Sequence, residues 1–248
     1  MRTGIIFALC VLLLPVIAMA QEEEQEPGFV YATYMYCDLS KQWLADKVVE
    51  DAYKPVYDKM VDEGVIGAWG WLSHHTGGKW RKILYTSAPT MDALFDAQEA
   101  LGKAMREEAP MARATVASIC TTHDDYIWRG VAGSPPGETR GKVGFSVYFV
   151  CDMSREDRAD EIVEKHIGPI YDAHMGEGKL TSWGFQEHIV GGKYRRLATM
   201  TAKDVKTLMK TRGEIMQAMG EIEEQAGEFS EICNSHSDYI WNILHEKP

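Results

Sequence analysis

The sequence predicts an α+β protein in which one βαββαβ unit occurs twice in tandem. Two observations carry that prediction: the chain matches itself in order at an offset of 114 residues (Cys37 onto Cys151), and each copy shows the same succession of strand-like and helix-like patterns. Cys37-Asp38-Leu39-Ser40 meets Cys151-Asp152-Met153-Ser154, and Pro55-Val56-Tyr57-Asp58 meets Pro169-Ile170-Tyr171-Asp172. Further on, Trp69-Gly70 matches Trp183-Gly184, His74 matches His188, Gly77-Gly78-Lys79 matches Gly191-Gly192-Lys193 and Arg81 matches Arg195. After a one-residue slip, Cys120, His123 and Asp125-Tyr126-Ile127-Trp128 meet Cys233, His236 and Asp238-Tyr239-Ile240-Trp241.

Tyr31 to Cys37 and Phe145 to Cys151, rich in aromatic and β-branched residues, read as first strands. Ser40 and Ser154 are read as N-caps of a helix with apolar positions at Leu44, Val48 and Val49, or Ile162 and Val163. Pro55 and Pro169 kink or restart that helix because an interior proline removes a hydrogen bond, and Gly64 and Gly178 end it. A hairpin is expected around Gly77-Gly78 and Gly191-Gly192. A second helix follows over 90–107 and 204–221, and a last strand over 116–128 and 231–241. The repeats are placed at 29–128 and 143–244, with a linker at 129–142 containing Gly133-Ser134-Pro135-Pro136-Gly137.

Ahead of the repeats, Arg2, an apolar run from Ile5 to Ala18 and the small-x-small end Ala18-Met19-Ala20 form a signal peptide over 1–20. An acidic mature N-terminus occupies 21–28, and no second apolar run offers a membrane span. The expected location is secreted or periplasmic. Removing Cys10 with the leader leaves Cys37, Cys120, Cys151 and Cys233, an even number in an oxidising compartment, so disulfides are expected. A formal charge of −11 and the lack of a basic stripe argue against nucleic acid as a partner.

The βαββαβ order is the ferredoxin-like unit. On that order and its duplication the chain resembles the dimeric α+β barrel superfamily, fused here into a pseudo-dimer that acts as a monomer or weak homo-oligomer. The resemblance covers nearly the whole mature chain and implies a range of roles: cofactor-free monooxygenases, haem-binding or haem-degrading proteins, chlorite-dismutase-like enzymes and ligand-binding modules. A last strand antiparallel to the first brings Cys37 to Cys120 and Cys151 to Cys233.

Strand alternation sorts the candidate site residues. Phe29, Tyr31, Thr33, Met35 and Cys37 face the helices, which turns Tyr34 and its counterpart Tyr148 into the space between the sheets. With the glycine pair as the turn, His74 lies opposite Arg81 and His188 opposite Arg195. Trp69, Trp71 and Trp80, or Trp183, Phe185 and Tyr194, take the opposite face. Strict alternation from the cysteines puts Tyr126 and Trp128 on the helix side, and His123 and Asp125, with His236 and Asp238, in the lumen.

Ligand binding is therefore expected at Tyr34, His74, Arg81, Tyr148, His188 and Arg195, with His123–Asp125 and His236–Asp238 as candidate acid–base pairs. The aromatic lining points to a small apolar or aromatic ligand held between the repeats. The alternatives are a cofactor-free monooxygenase or isomerase, haem binding, and a structural or interaction role. No metal site and no cofactor is predicted, since neither H-E-x-x-H nor C-x-x-C-H occurs. His75, Trp71 and Tyr85 become Ile189, Phe185 and Thr199 in the second copy, so one working side and one structural side are expected.

Overall fold

The computed structural model describes residues 28–134 and 140–248. The expected signal peptide, the acidic segment up to residue 27 and residues 135–139 of the expected linker lie outside the described residues.

β1 (Phe29–Cys37) leads into α1 (Gln42–Val48), one π-helical turn (Val49–Tyr53) and α2 (Lys54–Asp62). The hairpin β2 (Ala68–Gly77) and β3 (Lys82–Ala88) follows, then α3 (Met91–Glu108), α4 (Pro110–Ile119) and β4 (Cys120–Ser134). The order then recurs as β5 (Val143–Val150), α5 (Glu156–Ile162), a π-helical turn (Val163–Ile167), α6 (Gly168–Gly176), β6 (Ser182–Val190), β7 (Arg196–Ala202), α7 (Val205–Met219), α8 (Glu223–Ile232) and β8 (Ser235–Lys247). Pro55 and Pro169 restart the helix directly after each π turn, and Gly64 and Gly178 end it at φ +71° and +68°.

All eight strands close into one antiparallel barrel, in the order β1-β3-β2-β8-β5-β7-β6-β4. The long last strands make the closure. β4 pairs with β1 through its first part and with β6 through its second, while β8 does the same with β5 and β2. Residues 129–134, expected in the linker, are therefore strand, and β8 runs past 244 to Lys247.

The expected last strands also started too early. Val116 and Glu231 are helical, because Pro110 opens a further helix, α4, whose Val116 and Ile119 are buried, and α8 repeats it in the second half. Ser40 and Ser154 cap no helix. Each instead donates its backbone N–H and hydroxyl to the preceding Asp38 or Asp152, forming a turn that leads into the helix.

β2 pairs with β8 from Trp69↔Lys247 to Gly77↔Tyr239, and beyond Ser73↔Lys82 its end crosses past β3 along β8 alone. The glycine pairs are required by that crossing. A Cβ at Gly78 would strike the Tyr239 phenol and one at Gly191 or Gly192 the Tyr126 ring or its hydroxyl, one at Gly77 would strike the backbone carbonyl of Asp238, and Gly77 and Gly191 also sit at φ +122° and +144°.

The disulfides Cys37–Cys120 and Cys151–Cys233 tie the start of each last strand to the end of each first strand. Apolar side chains fill three regions: between sheet and helices in each half, and inside the barrel. A buried ion pair repeats under the helices, Lys82–Asp46 at 2.5 Å in the first half and Arg196–Asp160 at 2.6 Å in the second.

Candidate functional site in the second repeat

A one-residue register shift between Tyr36 and Cys37 decides which side chains meet. Cys37 pairs with Cys120, but Tyr36 pairs with Thr122 and Met35 with His123. The extra residue reverses the alternation beyond it. His123 and Asp125 therefore share the helix face of Met35 and Thr33, and Tyr126 and Trp128 turn into the barrel, the reverse of strict alternation. The second half repeats the arrangement, with Phe149↔His236 and Val147↔Asp238.

The barrel interior is packed with rings. Tyr34, Trp80, Tyr126, Trp128, Tyr148, Tyr194, Tyr239 and Trp241 are all buried there. Tyr34 stacks on Trp80 with centroids 4.3 Å apart, and the Trp128 indole donates to the Tyr34 hydroxyl at 3.2 Å. Trp80 and Tyr194, expected on the helix side, lie inside because they follow the crossing turn and escape the hairpin's alternation. The Trp80 indole donates to Asp124, and the Tyr194 hydroxyl to Ser237. Burial raises the pKa of Tyr34 and Tyr148 far above the usual phenol range, so both stay neutral.

His74 and His188 stand at the edge of this ring cluster, edge-on to Tyr239 and Trp241 or to Tyr126 and Trp128. Arg195 reaches His188 Nδ1 at 2.7 Å and is itself held by Glu156. Arg81 has Gln42 where Arg195 has Glu156, and its Nε is buried without a partner. The sequence-predicted lumen residues Tyr34, His74, Tyr148 and His188 thus come together, but as mutually packed walls of a filled barrel.

Burial first, and the neighbouring arginine second, hold His74 and His188 below the ordinary imidazole value of 6.5. The unfolded chain takes up these protons before the folded one does, so stability present above pH 6.5 is lost as the pH falls through the unfolded value. The urea midpoint should decline from about pH 8 to about pH 5.5, and the double variant His74→Asn/His188→Asn should show a smaller decline.

The cavity lies elsewhere, between sheet and helices in the second half. Its volume is about 380 Å³, and it is lined by Phe145, Val147, Phe149, Phe185, Ala198 and Phe229 among others. Its ionisable side chains of acid–base or anion-binding type are His236, Asp238 and Arg212, and Thr199, Ser230, Asn234 and the Tyr171 phenol add neutral polar groups to the lining. His236 Nδ1 lies 2.7 Å from Asp238 Oδ1, and with His236 half exposed the pair forms the mouth. A carboxylate at Nδ1 holds the proton there and leaves Nε2 as the accepting atom. Arg212, from α7, lies 4.9 Å from the centroid of the Phe145 ring. Burial pushes the nearby Tyr171 phenol up to about 12, with Arg212 acting in the opposite sense.

The first half fills the corresponding space. Trp71, Leu84 and Tyr53 stand where the second half has Phe185, Ala198 and Ile167, and Trp71 and Tyr53 are buried in the first core. His123 and Asp125 keep their pairing there at 3.1 Å. However, Tyr31, whose phenol pKa is raised by burial and then by Asp125, sits beside that carboxylate. Phe145 replaces Tyr31 in the second half, so Asp238 faces the cavity without a competing hydroxyl.

Sequence reasoning missed Arg212, Phe185 and Ala198 as site residues. The available sign was the loss of side-chain size from the first copy to the second at positions that otherwise match. Among the described residues no cluster of three metal-ligating side chains occurs, and no helix is long and apolar enough to cross a membrane.

No protein-family model and no curated protein matches the sequence. Solved structures do match it. A provisionally assigned monooxygenase from Lactobacillus acidophilus superposes with a TM-score of 0.62 at 9% identity, over 90% of this chain and 96% of that one. One from Fusobacterium nucleatum gives 0.63 at 8%, over 90% and 95%. The fold is that of the dimeric α+β barrel proteins. An anthrone oxidase-like protein shares this barrel at a TM-score of 0.57 and 11% identity, over 90% of this chain and 94% of its own. In this α+β barrel the cavity and its His–Asp pair belong to the second half, where the smaller side chains lie.

Proposed function

We propose that the protein is exported and holds a small, largely apolar molecule in the cavity of its second half. The chain is read as a fused pseudo-dimer whose first half is the structural side. The observation that carries this reading is the apolar cavity of about 380 Å³ with few polar groups reaching it, a size and lining typical of ligand sites, roughly 300–1,000 Å³. Two disulfides, compatible with an oxidising location, support export.

The His236–Asp238 geometry favours a second reading as an enzyme. His236 Nε2 would take a proton from an acidic C–H or O–H of the bound molecule, and Asp238 would hold the ring in place and stabilise the imidazolium. A monooxygenase step would add dioxygen as the co-reactant. For haem, His236 is the imidazole in the cavity lining that would hold the iron, and the haem would then supply redox chemistry.

The first half supplies the test. Ala198→Leu installs the side chain that Leu84 already carries in the matching first-half position. Titration with 2-naphthol, followed by indole fluorescence and native mass spectrometry, should show saturable binding to the wild type. Binding should be weakened at least about tenfold in Ala198→Leu, with the melting temperature little changed, because filling a cavity costs far less than overpacking a full core. Equal binding by the variant places the ligand outside this cavity and overturns the reading. A hemin titration giving a Soret band lost in His236→Ala would favour haem instead.

A further inference from the structure

Resting on the cavity reading above, we infer that the ligand is an organic acid, with its carboxylate seated on Arg212 and its apolar body running along β5 towards His236.

Arg212 combines two features: it lines the cavity and, among the described residues, it lacks a carboxylate partner, whereas Arg81, Arg106 and Arg113, which also lack one there, do not line this cavity. Arg129, Arg140, Arg155, Arg158, Arg195 and Arg196 each lie within ion-pair distance of a carboxylate, whereas Arg212, among the described residues, has none within 4 Å. It is half-buried on the wall of an apolar cavity, against the Phe145 ring. An aromatic face orients a guanidinium but does not satisfy its N–H donors, and the group that does so best is a planar carboxylate binding through two parallel hydrogen bonds. The first half has Gln98 at this position, so the cation belongs to the half that has the cavity.

The register gives the length of the ligand. Arg212 lies over Phe145, and His236 packs against Phe149, its pairing partner, with ring centroids 5.8 Å apart. Four residues of strand separate the two phenylalanines, about 13 Å at roughly 3.3 Å per residue. Between them Val147 and Ala198 leave an apolar floor, with Asp238 opposite Val147. A molecule of one or two fused rings with a carboxylate at one end and a hydrogen-bonding group at the other spans that distance. Asp238 repels the carboxylate from the His236 end, which fixes the direction of entry.

The test uses 6-hydroxy-2-naphthoic acid and its methyl ester on the disulfide-intact wild type, Arg212→Met and Ala198→Leu, by calorimetry at neutral pH. The acid should bind the wild type at least about tenfold more tightly than the ester. Arg212→Met, which keeps the side-chain length, should bring the acid to the level of the ester and leave the ester unchanged. Equal affinity for acid and ester in the wild type overturns the inference while leaving the cavity reading intact, as does a preference for the acid that survives in Arg212→Met. If Ala198→Leu binds both probes like the wild type, or if the wild type binds neither, the cavity reading itself fails and the inference with it.

Discussion

Replacing Cys151 and Cys233 together by alanine is expected to lower the free energy of unfolding by about 4 kcal/mol, because the bridge closes a long loop in the unfolded chain. The two half-cystines are separated by 82 residues, and those of Cys37–Cys120 by 83, so chain entropy alone predicts nearly equal losses for the two bridges. Their effects on binding should differ. Cys233 lines the cavity next to Asn234 and His236, whereas Cys37–Cys120 ties down the half whose space is filled. Urea unfolding of the two double variants should show similar drops, with 2-naphthol binding weakened only in Cys151→Ala/Cys233→Ala. Equal binding by both would mean that this bridge does not shape the cavity.

Arg196→Met should cost about 3–5 kcal/mol, the usual penalty for removing one partner of a buried ion pair. The Arg196 side chain is 2% exposed and forks onto Asp160 with bonds of 2.6 and 2.7 Å, while Glu156 lies 3.1 Å away. These two carboxylates hold the guanidinium protonated against the cost of its burial. Removing it strands Asp160 under the helix layer, while Glu156 keeps its pairing with Arg195. Arg196→Lys, which copies Lys82 of the first half, keeps the charge and should lose less than half as much. A urea midpoint for Arg196→Met within error of the wild type would show that Asp160 finds solvent, and the pair would then count as a surface contact.

The repeat, the order of elements apart from α4 and α8, and the inward side of Tyr34 and Tyr148 were legible because each rests on local pattern or on an ordered match between copies, whereas the pairing of the cysteines followed from the expected antiparallel partnership of first and last strands. The position of His123, Asp125, His236 and Asp238 was not. The bulge after Tyr36 inserts one residue into a period of two, and no side chain at Thr121 or Asn234 announces it. Trp80 and Tyr194 were misplaced for a related reason, since a turn that crosses to another strand does not obey the hairpin it leaves. The linker was misjudged from its glycines. Gly130 and Gly133 lie within β4 beside irregular pairing to β6, where the strand must curve to close the barrel.

The amino-acid sequence by itself determined that the same α+β unit is built twice, since hydrophobic periodicity, capping glycines and restarting prolines act within a few residues of where they stand. Only the tertiary structure decided where a ligand has room. A cavity is the volume left when helices and sheet have packed, and it follows from small differences in size between Trp71 and Phe185, Leu84 and Ala198, and Tyr53 and Ile167. Those differences become space only once a sheet and two helices fix the distance between them.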